Sequence, residues 1–354
     1  MKRAASWCII PANMNSTPLK ALVAPALFAL LAASVAACGG SEPPPQPPPP
    51  PPAATTQPPP PADTTPPPAP TAAEPAPPPA PAKPTPAVAF KDFSTPESVL
   101  YDAKDDVYLV SNINGSPGGA DNNGFISRLA PDGSKNEMKW IEAGKNGVKL
   151  DAPKGLAIAG DVLYVADLTR VRMFDRKTGK PKGEVALPGA TFANDLAASA
   201  DGKIVYATDT GIKFDEKGPS PTGTEAVFAI EKGKAKTIAK GEDLGKPNGI
   251  AAANGKVWVL GFMSGELYSI NKEGKKEDVT KLPKGMLDGL VAVGDSMLVS
   301  SWEGQAIYRG KPGGTFEAVL SGVKSPADIG YDTKRSRVLV PIFEGNAVEA
   351  YDLK

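Results

Sequence analysis

From residue 87 onward, six positions recur at the same point of a repeating unit: Glu97, Lys154, Asn194, Asn248, Asp288 and Ala327. Each stands at the start of a short apolar run, as in Pro96-Glu97-Ser98-Val99, Pro247-Asn248-Gly249-Ile250 and Leu287-Asp288-Gly289-Leu290. Four of the six are oxygen donors and two of these are anionic. Oxygen ligands brought together from separate segments, with charge partly neutralised and positions left for water or substrate, are what a hard divalent cation requires. Calcium is the first expectation, with manganese, magnesium or zinc as alternatives. Lys154 in the same column is a candidate for binding a substrate carboxylate or phosphate, and it also opposes a nearby cation. The rest of the composition narrows the chemistry. The chain has no histidine, and its two cysteines are Cys8 and Cys38. Ser-His-Asp and Cys-His nucleophilic sites, histidine acid–base catalysis and ordinary zinc sites are therefore excluded. What remains is carboxylate, Lys, Tyr or Ser chemistry, or a metal held by oxygens.

A plainer reading competes at two of these positions. Asn-Gly and Asp-Gly form turns readily, so Asn248 and Asp288 could simply shape the start of each run. Glu97 has no turn role, and burying it unpaired would be costly.

With Pro96-Glu97, Asn194-Asp195, Pro247-Asn248-Gly249 and Asp288-Gly289 in that order, the chain resembles the family of gluconolactonases, senescence marker protein and luciferin-regenerating enzyme. The six-bladed relatives of that family include diisopropyl-fluorophosphatase. The resemblance implies that Glu97, Asn194, Asn248 and Asp288 bind a divalent metal, often calcium. It also implies that Asp288 serves as base or nucleophile in hydrolysis, with Asp195 behind it as a second catalytic carboxylate.

The elements that must position these residues are strands. The second apolar run of each unit reads Val107-Tyr108-Leu109-Val110, Leu163-Tyr164-Val165-Ala166, Val205-Tyr206-Ala207-Thr208, Val257-Trp258-Val259-Leu260, Met297-Leu298-Val299-Ser300 and Val338-Leu339-Val340-Pro341. Hairpin signals follow the third run in five units, for example Pro131-Asp132-Gly133 and Lys272-Glu273-Gly274. Six units with a period near 40–57 residues predict an all-β, six-bladed β-propeller over residues 87–354. The sixth unit lacks its last strand, and Ala87-Val88-Ala89-Phe90 is expected to supply it and close the ring. Asp167 and Asp209, just after second runs, are read as loop braces. The Gly/Asn-rich stretch 112–124 is an enlarged loop in the first blade, either a lid or a long surface turn.

Ahead of the propeller, Lys20 precedes an apolar run ending Val35-Ala36-Ala37-Cys38-Gly39. Small residues before a cysteine predict a lipoprotein signal peptide over 1–37 and acylation of Cys38. Membrane anchoring through that group follows, and the absence of an aspartate just after Cys38 favours the outer membrane of a bacterial envelope. Of the chain's 40 prolines, 24 fall between Pro43 and Pro86. A segment with so few apolar side chains cannot offset its ordering entropy, so 38–86 is expected to be a disordered spacer. Counted from Cys38, 36 basic residues face 39 acidic ones with no basic block, which argues against nucleic acid as a partner. Two functions stay open: a metal-dependent hydrolase of small lactones or esters, and a non-catalytic propeller related to NHL repeats that binds an envelope protein or glycan.

Overall fold

The protein is described by a computed structural model covering residues 83–215 and 217–353. The expected signal peptide, Cys38 and most of the proline-rich segment lie outside the described residues. Among residues 83–353 there are six four-stranded antiparallel sheets and one extra hairpin. The inner strands are Pro96–Asp102, Pro153–Ala159, Ala193–Ala198, Pro247–Ala253, Leu287–Val293 and the shorter Gly330–Asp332. They touch one another in a closed cycle, the first against the last. The fold is a six-bladed β-propeller.

Closure occurs where the sequence predicts it. Val88–Phe90 pairs antiparallel with the last strand, Ala347–Asp352, so the sixth blade joins the two ends of the domain. Thr95 N–H donates to Asn346 Oδ1 at 2.7 Å and Phe93 N–H to the Asn346 carbonyl, extending the join. Phe90 is buried in edge-to-face contact with Tyr108, tying the closing strand to the first blade.

The second strands are largely buried: the second and third blades alternate, burying Leu163 and Val165, and Val205 and Ala207, while the other four bury successive residues such as Tyr108, Leu109 and Val110, as strands covered on both faces do. These residues pack into inter-blade apolar clusters. At the face away from the inner-strand starts, ion pairs staple neighbouring blades. Arg176 of the second blade donates to Asp102 and Asp105 of the first. Arg335 of the sixth blade is held by Asp106 of the first and its own Asp332, which also accepts from the Tyr108 hydroxyl.

The two longest repeats carry insertions between second and third strands. In the third blade, Ile212–Asp215 and Gly218–Pro221 form a separate hairpin that the sequence did not suggest. In the first blade the insertion is the expected 112–124 loop. A Cβ on Gly118 of that loop would lie 2.9 Å from Phe214 of the hairpin, so the two insertions touch.

Candidate functional site

The inner strands aim their first side chains by a shared local device. In five blades the ladder to the second strand slips between the residue before the ring position and the residue two after it, as between Pro96 and Val99 or Leu287 and Leu290. A bulge leaves the ring residue out of the ladder and turns its side chain. The stranded N–H groups find hydroxyls instead. Ser98 N–H donates to Ser111 Oγ at 2.9 Å, Asp195 N–H to Thr208 Oγ1 at 3.0 Å, and Gly289 N–H to Ser300 Oγ at 2.7 Å. Thr208 and Ser300 then donate to the carbonyls of Asn248 and Ala327, the ring residues of the next blades. Four non-glycine residues two positions ahead of the ring, Thr95, Lys246, Met286 and Ser325, have φ between 43° and 65°. Left-handed backbone at such residues is strained and persists where surrounding contacts over-determine it.

The glycines after the ring residues are not turn residues. Gly249 and Gly289 lie inside strands, and added Cβ atoms would stand 2.3 Å from Asp288 O and from Ile329 N respectively. They are glycine because the next blade's backbone passes there. The turn-forming reading of Asn248-Gly249 and Asp288-Gly289 is thereby corrected: neither pair makes a turn.

Glu97, Asn194, Asn248 and Asp288 are all buried, at 4–6% exposure. Ten buried side-chain N or O atoms lack a hydrogen-bond partner among the described residues, and Glu97 Oε2, Asn194 Oδ1, Asn248 Oδ1 and Asp288 Oδ1 are four of them. One orphaned oxygen thus comes from every expected ligand. Desolvating such an atom without a partner is costly, and a cation placed in the ring would satisfy all four. In two of the four, the other polar atom is braced. Trp302 Nε1 donates to Asp288 Oδ2 at 2.7 Å, and Asn194 Nδ2 donates to Thr210 Oγ1 at 2.9 Å.

Charge gives the same answer. Below the ring, Asp195 accepts from the Ile250 and Leu196 amides, and Asp328 accepts from the Ser98 hydroxyl. Four buried carboxyls therefore share the channel with one amine, that of Lys154. Burial pushes Glu97 well up, and Asp288 and Asp328 add to the rise against the pull of Lys154. Burial raises Asp195 and Asp328 too, each reinforced by neighbouring carboxyls. Asp288 is pushed up to about 7 by burial, opposed by its bond from Trp302 and by the neighbouring Asn248 amide. A divalent cation in the ring would return these groups to their ionised forms. Among the described residues no group of three or more His, Cys, Asp and Glu is arranged as a metal site; the ring offers two carboxylates and two amides, an all-oxygen set suited to a hard cation.

Lys154 is placed differently from a free substrate ligand. It is 1% exposed, its Nζ donates to Ala152 O at 2.9 Å and sits 4.2 Å from the Phe192 ring centroid. Burial lowers it to about 8 despite Glu97 and Asp167. Phe214 of the inserted hairpin packs on Phe192 at 5.4 Å, covering this sector. Asp167 and Asp209 brace loops as expected: Asp167 accepts from the Asp151 and Ala152 amides and pairs with Arg172, and Asp209 accepts from Thr191, Phe192 and Gly211. Sequence reasoning missed Asp328, which follows Ala327 as Asp195 follows Asn194, and Trp302, which nothing in the sequence tied to Asp288.

Two solved structures share this arrangement of blades. One is a gluconolactonase of Xanthomonas campestris, at 17% identity and a TM-score of 0.57, over 75% of this chain and 88% of that one. The other is a putative gluconolactonase, at 18% identity and a TM-score of 0.55, over 76% and 96%. What they share is the fold. No protein-family model matches the chain, and no curated protein does.

Proposed function

We propose that the chain is a divalent-metal-dependent hydrolase of small lactones or esters, with its site at the mouth of the propeller channel. One observation carries this reading: a buried, unpartnered oxygen on each of Glu97, Asn194, Asn248 and Asp288. Those four residues would hold the cation, with calcium favoured by the all-oxygen set. When bound, it would polarise a carbonyl or phosphoryl oxygen and lower the pKa of a water. Asp288 is the base or nucleophile, because Trp302 fixes one of its oxygens at the ring and a bound cation would keep its carboxyl ionised. Asp195 holds the third and fourth inner strands in register through the Leu196 and Ile250 amides. Lys154 supplies a positive charge facing Glu97 from beneath Phe192. The gluconolactonases that share the fold lend the reaction class.

The test is calcium and manganese titration by calorimetry on the full chain beside Glu97→Ala and Asp288→Ala. The expected result is one site in the parent protein and none in either variant. Absence of binding by the parent sinks the reading, and binding without turnover on a lactone and ester panel turns it into a non-catalytic metal-bearing scaffold. The reading extends to an envelope lipoprotein held to the membrane by acylated Cys38, supported by the Lys20–Cys38 pattern. Labelling of the parent with radioactive palmitate, abolished by Cys38→Ser, checks it.

A further inference from the structure

We infer that this site takes a substrate with an apolar, preferably aromatic, body rather than a polyhydroxylated one; this rests on the hydrolase reading above and names its substrate class. The wall above the ring is set by the residue that follows each second strand: Ile113, Leu168, Thr210, Phe262, Trp302 and Phe343. In five blades that residue's N–H donates to the carbonyl two positions ahead of the ring residue, as Phe262 does to Lys246, Trp302 to Met286 and Phe343 to Ser325. Two of the side chains reach the ring itself, Thr210 to Asn194 and Trp302 to Asp288. The position is therefore the collar directly over the metal ligands.

Five of its six occupants are apolar. The exception, Thr210, has its hydroxyl engaged twice, accepting from Asn194 and donating to Pro247 O. The collar is also lopsided. Over the second and third blades, Phe214, touched by the Gly118 loop, packs on Phe192, whose ring lies beside Lys154 Nζ. Of the four half-buried collar residues, Leu168 lies over the second blade, while Phe262, Trp302 and Phe343 lie together over the fourth to sixth, with the Trp302 and Phe343 rings 5.3 Å apart. Of the collar, these three rings are therefore the aromatic surface a substrate body would meet on approaching the ring. A sugar-like body there would lose its hydration against faces that offer its hydroxyls no partner, whereas an aryl or alkyl body would be stabilised by stacking and burial.

A matched pair of neutral amides separates the alternatives, acetanilide carrying an aryl body and gluconamide a polyhydroxylated one. Each is titrated by calorimetry and tryptophan fluorescence into the full chain, with calcium and again with EDTA. We expect acetanilide to bind at least tenfold more tightly and to change an emission component missing from Trp302→Phe. Phe262→Ser and Phe343→Ser should each weaken it at least fivefold, and Phe343→Leu should restore most of the loss. Gluconamide binding as tightly as acetanilide, or indifference to both serine variants, overturns the inference. If the chain takes up no calcium yet keeps the acetanilide preference in EDTA, the metal reading fails while the aromatic collar stands.

Discussion

Burial at the ring has a measurable consequence for single residues. Asp288 titrates near 7 in the metal-free fold, against a value close to 4 in an unfolded chain. A carboxyl raised in this way binds its proton more tightly when folded. Its contribution is full below the unfolded value and is lost as pH rises through about 7. Glu97, Asp195 and Asp328 are shifted in the same direction by the same cause. The EDTA-treated protein should therefore melt several degrees lower at pH 8 than at pH 5, the reverse of ordinary acid denaturation. Saturating calcium should remove most of that difference by stabilising the ionised forms. A metal-free melting temperature that rises from pH 5 to pH 8 would contradict the burial argument. Trp302→Phe keeps the aromatic body but drops the indole N–H from Asp288 Oδ2. It should lower kcat by about tenfold or more, since it leaves a positioned carboxylate oxygen without its donor, while calcium binding survives.

At the scale of the strand, two of the bulges, those at Asp195 and Gly289, are held by a hydroxyl that serves two blades. Ser300 Oγ takes the Gly289 N–H and gives its own proton to Ala327 O, so Ser300→Ala orphans two buried backbone groups. Its expected cost is about 2 kcal/mol, read by chemical denaturation. Gly289→Ala should cost about 3 kcal/mol, because the new Cβ would meet the backbone of Asp328 and Ile329 and nothing there can rotate away. Gly233→Ala, with open space around its Cβ but a φ of 73°, is the control that isolates backbone strain from the clash. These positions also mark what a sequence can and cannot reveal. The strands were legible because burial on both faces writes itself as continuous apolar runs such as Val-Tyr-Leu-Val, and the ring because oxygen side chains recur at one point of the period. The glycines were visible but misattributed, since Asn-Gly and Asp-Gly have a local explanation and the neighbouring blade's backbone leaves no mark in the chain. The inserted hairpin 212–221 alternates only over the four residues Ile212–Asp215, and its return strand Gly218–Pro221 carries two prolines and no bulky apolar side chain, so it does not read as a strand. Trp302 and Asp328 belong to the site only through contacts across blades.

For the whole molecule, the ring of blades is only as strong as its join. A six-bladed ring leaves the last blade's third strand, Ala347–Asp352, with an unpaired edge unless the first strand of the domain covers it. The three-residue strand Val88–Phe90 does so, extended by the Ala87 N–H bond to Ala350 O and assisted by the Lys83–Glu349 ion pair and the Asn346 bonds to Phe93 and Thr95. Lys83 is more than a third exposed and that ion pair counts for little. The join therefore depends on Phe90, which alone of the three is fully buried and inserts between the first and last blades against Tyr108 and Val348. Phe90→Ala removes that anchor and should cost about 3–4 kcal/mol. The signature that separates this from an ordinary core cavity is the exposed edge. Phe90→Ala should bind thioflavin-type dyes and scatter light on warming before the bulk of the domain melts, because an uncovered strand pairs with other chains. A buried control of similar size away from the join, Phe228→Ala in the third blade, should lower the melting temperature comparably without that early aggregation. If the two variants aggregate alike, the join is no weaker than any other blade contact, and closure does not limit the stability of the ring.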